Sequence, residues 1–352
     1  MRICYLNHDL SNKTGAGRFC LALTSSLKRI RPEHEYNVIT YDDLFPRGNL
    51  SLIPHLLKLR SSLKNYDIVH ALDGWPYGFI AVLCSRGLKS KKVVITAIGT
   101  GAVKPLHHPL KKRLMMWAYK KADIVTAVSQ NTRREILKVM PNLIIKVINH
   151  GVDFSKFQIT NYQLPITNLR PYILSVGALK KRKGYKYSIK AFAEIAAKFP
   201  ELKYVIVGQG LEQEKLESLV MSHGLQDRVV FLSDIGEDHL ISLYQNAELF
   251  ILLPQDIGKD IEGFGLVFLE AAAGGLPVIA TKGSGAEDAV FDGRNGILVS
   301  QNDHPEATAA LSRILNDERL KERFSSESKV VAASMGWDKV AWSYLGVYDY
   351  QN

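Results

Sequence analysis

The sequence predicts an α/β protein made of two doubly wound domains, each a parallel sheet covered by helices. Three observations carry that expectation. Short runs rich in Val, Ile and Leu alternate with amphipathic stretches of helical length. The alternation stops once, in a polar stretch at residues 154–170 containing Pro165, and then starts again. The 352 residues of the chain also exceed what one compact core of ordinary size holds.

In order along the first half, the expected strands are residues 2–6, 36–40, 68–71, 93–97, 124–128 and 144–148, with helical periodicity at 17–30 and 110–121. The opening Met1-Arg2-Ile3-Cys4-Tyr5-Leu6 turns polar at Asn7-His8-Asp9. It is too briefly apolar for a secretory signal and reads as the first strand. After the polar stretch, strands are expected at 172–176, 202–207, 229–232, 249–252, 277–280 and 296–299. Ligands of such sheets sit at the carboxyl ends of the strands, which puts the expected site in a cleft between the domains.

Composition narrows the function class. With 46% hydrophobic and 23% charged residues the chain is globular. Its longest apolar stretch, residues 264–280, is broken by Glu270, Gly274, Gly275 and Pro277 and falls short of the ~20 residues of a membrane span. Cys4, Cys20 and Cys84 are odd in number and lack metal-ligand spacing, as expected of reduced thiols in a cytoplasmic protein. The net charge of +10 is segregated. Residues 1–160 hold 25 Lys and Arg against 10 Asp and Glu, and the remainder holds 20 against 25. Such asymmetry points to two domains with different partners.

The most informative window runs from Asp260 to Ala280. A helix opening near Gly265 would offer free backbone N–H groups and a positive dipole end to an anion, and Gly263 and Gly265 would permit close approach of a phosphate. From Leu266 to Ala273 only Glu270 is polar. A buried carboxylate needs a partner. Either a ribose diol supplies it, with Glu262 reaching sugar hydroxyls on the same ligand, or a neighbouring Lys or backbone amide does.

A second window, Val176-Gly177-Ala178-Leu179-Lys180-Lys181-Arg182-Lys183-Gly184, follows a strand and precedes a helix. Its four cations form either a diphosphate clamp, with Lys183 as an exposed cleft lysine, or a solvated face. Gly15 and Gly17, between the first strand and first helix, and Gly208, at another strand end, are weaker glycine signals.

Together these windows resemble glycosyltransferase family 4 of the GT-B fold, over almost the whole chain. Glu262 and Glu270 stand at the family's spacing of Glu, seven residues, Glu, flanked by Gly263-Phe264-Gly265 and Gly275-Leu276-Pro277-Val278-Ile279-Ala280. Gly283-Ser284-Gly285-Ala286-Glu287, Asp292-Gly293-Arg294-Asn295-Gly296 and His150-Gly151-Val152-Asp153 are similar to further family segments. The resemblance implies two Rossmann-like domains: an acceptor-binding domain at 1–158, a nucleotide-sugar-binding domain at 159–336, and a helix at 337–352, beginning at Trp337, that crosses back to the first.

The resemblance also implies roles. Lys183 binds the leaving diphosphate, Glu270 the ribose and Glu262 the donor sugar. Gly263, Phe264, Gly265, Leu266 and Val267 hold sugar and phosphate through the backbone. The family's arginine reads Ala178 here, so Arg182 stands in from the other side of the loop. Family histidines read Ile98 and Leu72, which leaves Asp73 and Thr100 as acceptor candidates, with a structural turn as the alternative.

The expected reaction is retaining transfer of a hexose, with a UDP-sugar as first choice of donor and GDP-mannose as second. The expected acceptor is a lipid-linked or cell-envelope glycan, or alternatively a soluble small molecule. No metal, cofactor or nucleic acid is expected. A GT-B epimerase or phosphorylase is the rival enzyme; a nicotinamide oxidoreductase fails because neither Gly15-Ala16-Gly17 nor Gly208-Gln209-Gly210 completes the dinucleotide fingerprint. Residues 110–121 cluster five cations beside Leu114, Met115, Trp117 and Ala118. They read either as a helix on an anionic membrane, at its inner face, or as a core stripe of Leu114, Trp117 and Ala118 with a solvated cationic side.

Overall fold

The structure, a computed structural model, describes residues 1–12, 14–44, 52–88, 91–159 and 169–349. Most of the polar stretch between the two halves, residues 160–168, lies outside the described residues. The chain forms two compact units, one of Met1–Gly151 with Trp337–Asn352 and one of Val152–Gly336. The division falls seven residues before the expected one. It does so because Val152 N–H donates to the Met335 carbonyl at 2.9 Å, tying the segment to the end of the second unit.

In the first unit, β1 (Arg2–Leu6), β2 (Glu35–Ile39), β3 (Ile68–Ala71), β4 (Lys92–Ala97), β5 (Ile124–Ala127) and β6 (Ile145–Val147) form one parallel sheet in the order β2-β1-β3-β4-β5-β6. The chain winds outward on one side of β1 and then crosses to the other, so the order reverses between β1 and β3. Burial on both faces makes β3 and the Val93–Ala97 part of β4 largely apolar, interrupted only by His70 and Thr96, which is why the sequence shows them as strands. The helix Gly15–Ile30 contributes Phe19, Cys20, Leu23 and Leu27 to a core completed by Val340, Ala341, Tyr344, Leu345, Val347 and Tyr348 of the helix Trp337–Asp349.

The same C-terminal helix is bonded into the sheet. His70 Nδ1 lies 2.8 Å from the Tyr348 hydroxyl and His70 Nε2 lies 2.7 Å from Thr96 Oγ1. Tyr5 meets Tyr348 at 2.9 Å, and Thr96 meets Thr126 at 2.8 Å. Burial pushes the His70 imidazolium down to about 3, so the ring is neutral and able to both donate and accept.

In the second unit, β7 (Tyr172–Val176), β8 (Lys203–Val207), β9 (Val229–Leu232), β10 (Leu249–Ile251), β11 (Val278–Thr281) and β12 (Gly296–Val299) form a second parallel sheet. Its order is β12-β11-β10-β7-β8-β9, which reverses between β7 and β10. Doubly wound sheets take ligands at the carboxyl ends flanking such a reversal. In the first unit those ends lead into residues 7–9 and 72–78. In the second they lead into 177–184 and 252–265.

Among the described residues, no helix is long and apolar enough to cross a membrane.

Candidate functional site

The loop after β7 divides its four cations. Lys180 and Lys181 are exposed, Arg182 is half-buried and Lys183 is buried. The expectation of an exposed lysine at 183 is thereby corrected: the turn closes over it. Gly184 makes that turn at φ +73°, and a Cβ there would stand 1.7 Å from the Leu253 carbonyl oxygen. Gln255 N–H donates to the Arg182 carbonyl at 2.7 Å. The loop after β7 is therefore seated directly on the loop after β10.

Seating the loop brings the buried cations to the acidic segment. Lys183 Nζ and Arg182 Nη1 each lie 2.6 Å from Glu262 Oε2, and Arg182 Nε lies 3.1 Å from Asp260 Oδ1. Burial by itself would raise the Glu262 pKa, but Lys183 and Arg182 outweigh it and hold the carboxyl at about 2. The Lys183 ammonium is pushed below its ordinary pKa, chiefly by burial, against the pull of Glu262. Glu262 is thus an anion resting on the two cations expected to meet a diphosphate.

The helix Leu266–Ala273 begins at the expected place, preceded by Gly265, and buries Val267, Phe268, Leu269, Ala271, Ala272 and Ala273. Gly263, Phe264 and Glu262 are buried in the segment before it, while Leu266 is half-buried. Glu270 is half-buried too, and its Oε2 accepts a hydrogen bond from the Tyr244 hydroxyl at 3.1 Å. Tyr244 lies 26 residues away in sequence, on a different helix, so no local spacing announced it.

Gly208, after β8, adopts φ +155°, and a Cβ there would stand 2.0 Å from the Gly177 carbonyl oxygen. It lets β7 and β8 end side by side, with Tyr185 donating to that same carbonyl at 2.7 Å.

The remaining candidates lie in the first unit. Gly15 and Gly17 occupy the first turn of the helix Gly15–Ile30, where Thr14 Oγ1 accepts from Gly17 N–H at 2.9 Å. Asp73 follows β3, and its Oδ1 accepts from Gly74 N–H at 2.6 Å. Burial pushes its carboxyl up to about 7 despite this bond and one from the Ile98 backbone. Thr100 stands in the short helix Gly99–Val103 after β4, half-buried. The neighbouring strands β3 and β4 therefore carry both acceptor candidates at the same edge. Among the described residues no group of three His, Cys, Asp or Glu is placed to hold a metal ion.

The helix Lys111–Lys121 buries Met115, Ala118 and Tyr119, while Leu114 is exposed and Trp117 half-buried. The core-stripe reading is matched at Ala118 and missed at Leu114. The inward stripe runs one position later than the core reading, because the Tyr119 hydroxyl is anchored on the Ala102 carbonyl at 3.2 Å.

Comparison with known proteins agrees with these features. The family model of the glycosyl transferases group 1 matches residues 159–331, and that of glycosyltransferase family 4 matches residues 17–156. The chain belongs to these glycosyltransferases. The enzyme is 31% identical over 210 residues to a GDP-mannose-dependent alpha-(1-6)-phosphatidylinositol monomannoside mannosyltransferase of Mycolicibacterium smegmatis, across 56% of the chain and 54% of that relative. The match thus spans about half of that protein. It is 26% identical over 326 residues to the N-acetyl-alpha-D-glucosaminyl L-malate synthase of Bacillus anthracis, covering 90% of the chain and 83% of the relative. The crystal structure of Anabaena HepE in complex with UDP and glucose superposes with a TM-score of 0.79 at 20% identity, over 99% of each chain. That likeness is one of fold, and it gives this glycosyltransferase the GT-B architecture of two Rossmann-like domains.

Proposed function

We propose that this glycosyltransferase moves a hexose from a nucleoside diphosphate sugar to a hydroxyl acceptor with retention of anomeric configuration. The observation that carries the proposal is the buried Lys183–Glu262–Arg182 cluster at the reversal of the second sheet, beside the start of the helix Leu266–Ala273. Two desolvated cations next to oriented helix N–H groups suit a departing diphosphate, whose negative charge grows as the bond to the sugar breaks. UDP-sugars are the first choice of donor, in keeping with the UDP bound to HepE. GDP-mannose is the second, in keeping with the mycobacterial relative.

In this reading Lys183 and Arg182 hold the diphosphate, Glu262 a hydroxyl of the donor sugar, and Glu270 the ribose diol. Backbone groups of Gly263, Phe264, Gly265, Leu266 and Val267 line the donor, and Gly208 keeps its strand end open. The first unit, with Asp73, Thr100, Gly15 and Gly17, takes the acceptor. The acceptor oxygen bonds to the anomeric carbon on the face the diphosphate leaves, and its proton passes to the departing phosphate oxygen. No step calls for a metal, so EDTA leaves activity intact.

The acceptor is a lipid-linked or cell-envelope glycan, with the first unit resting on the inner face of a membrane. Exposed Leu110 and Leu114 stand among exposed Lys112 and Arg113, an arrangement that suits an anionic surface. Incubation with UDP-glucose, UDP-N-acetylglucosamine and GDP-mannose, with detection of the released nucleotide, tests the donor class. Release from none of them would overturn the proposal.

A further inference from the structure

The carboxyl ends of β1 and β3, which flank the reversal of the first sheet, bring His8 and Tyr77 together. His8 Nδ1 lies 2.9 Å from the Tyr77 hydroxyl. Tyr77 is 3% exposed, whereas His8 is exposed. Tyr41 meets both the backbone and the ring of His8. Tyr41 N–H donates to the His8 carbonyl at 3.1 Å, and the Tyr41 ring lies 5.7 Å from the imidazole, centroid to centroid. Tyr41 keeps 41% of its surface exposed. A polar ring is therefore clamped at the ligand-binding edge of a Rossmann-like sheet, beside a solvent-facing aromatic ring.

Burial first, and then the charges of Asp73, Asp9 and Asp42, push the Tyr77 phenol far above its ordinary pKa. The phenol keeps its proton, so its O–H is able to donate to His8 Nδ1. In a neutral imidazole the remaining proton is then on Nε2, which makes no hydrogen bond among the described residues. His8 so held offers an N–H to a ligand oxygen and has no lone pair left there to act as a base. The carboxylates of Asp9 and Asp42 beside Tyr77 would repel a phosphate or carboxylate ligand and favour a neutral one.

We propose that His8, oriented by Tyr77, and the ring of Tyr41 form a subsite for a neutral pyranoside of the acceptor, Tyr41 packing on the sugar's C–H face and His8 Nε2 donating to a ring hydroxyl. As an acceptor subsite it rests on the transferase reading above. His8 and Tyr41 touch the sugar, and Tyr77 is a positioning residue that acts through His8.

Saturation-transfer NMR on the whole chain tests it, with UDP, methyl α-D-mannopyranoside, methyl α-D-glucopyranoside and L-malate as probes. The wild type is expected to saturate the ring protons of at least one glycoside and not malate. His8→Ala and Tyr41→Ala are expected to weaken glycoside binding about tenfold. His8→Gln, which keeps an N–H near the Nε2 position, should stay within about threefold of wild type, and Tyr77→Phe should fall between the two. UDP signals should be the same in all of them. Glycoside binding that is undetectable in the wild type, or unchanged in His8→Ala and Tyr41→Ala, overturns the subsite. Saturation of malate in place of the glycosides overturns the neutral-sugar assignment. Failure of UDP to bind while the glycosides still depend on His8 sinks the UDP donor reading and leaves the sugar subsite standing.

Discussion

Lys183 Nζ and Glu262 Oε2 stand 2.6 Å apart in a buried setting, and Arg182 Nη1 reaches the same oxygen at 2.6 Å. One carboxylate oxygen thus occupies both cations proposed to receive a diphosphate. In the proposed function the donor's phosphates would compete with Glu262 for them and leave Glu262 available to the sugar as they arrive.

Glu262→Gln should therefore destabilise the free protein by about 3 kcal/mol, because removal of the charge leaves the buried Lys183 ammonium poorly compensated and Arg182 with Asp260 alone. UDP lacks the sugar that Glu262 is proposed to hold, so it reports on the cations alone. Thermal unfolding with and without saturating UDP should show a larger UDP-induced rise in Tm for Glu262→Gln than for the wild type. Equal rises would mean that Glu262 and the diphosphate do not compete.

The same pair sets a pH dependence. The Glu262 carboxyl is held at about 2, below its ordinary 4.5. A depressed acid contributes stability that is present above its unfolded pKa and is lost as pH falls through the folded value. Between pH 4.5 and 2 the wild type should lose on the order of 3 kcal/mol more than Glu262→Gln in urea unfolding. Parallel curves for the two proteins would remove Glu262 as the source.

Gly184 fixes the loop that carries both cations. Gly184→Ala meets both φ +73° and a carbonyl oxygen 1.7 Å from the new Cβ. The backbone must move, at a cost of about 1–3 kcal/mol, and donor turnover should fall at least tenfold as Lys183 shifts. Chemical unfolding and donor release together check this, and wild-type values in both would contradict the packing described.

Much of the fold was legible in the sequence because parallel strands buried on both faces become predominantly apolar runs. β7, buried at every position from Tyr172 to Val176 and polar only at Ser175, is an example. The glycine-flanked helix Leu266–Ala273 was legible for the same reason. Pairings between segments distant in sequence were not. Arg182 and Glu262 are 80 residues apart and Tyr244 and Glu270 are 26 apart, and only the sheet order brings them together. The burial of Lys183 was hidden because a run of four cations carries no sign of which will turn inward; the seating of Gly184 on Leu253 decides it. His8 and Tyr77 carried no motif at all.

The helix Lys111–Lys121 permits a test of membrane contact. Lys111 lies over the Trp75 ring, 5.2 Å from its centroid, whereas Lys112, Arg113, Lys120 and Lys121 are exposed with Leu114. The protein should co-sediment with phosphatidylserine-containing vesicles at low salt and be released at high salt. Lys112→Glu with Arg113→Glu should abolish most of that binding without changing UDP affinity. Sedimentation that ignores anionic lipid would favour a soluble acceptor.

The most direct test of retaining transfer needs no acceptor. UDP-α-glucose incubated with the enzyme alone should be hydrolysed slowly, and proton NMR recorded before mutarotation should show α-glucose as the first product. Lys183→Ala should slow its appearance about 100-fold. β-Glucose as the first product, or hydrolysis at the wild-type rate in Lys183→Ala, would contradict the account.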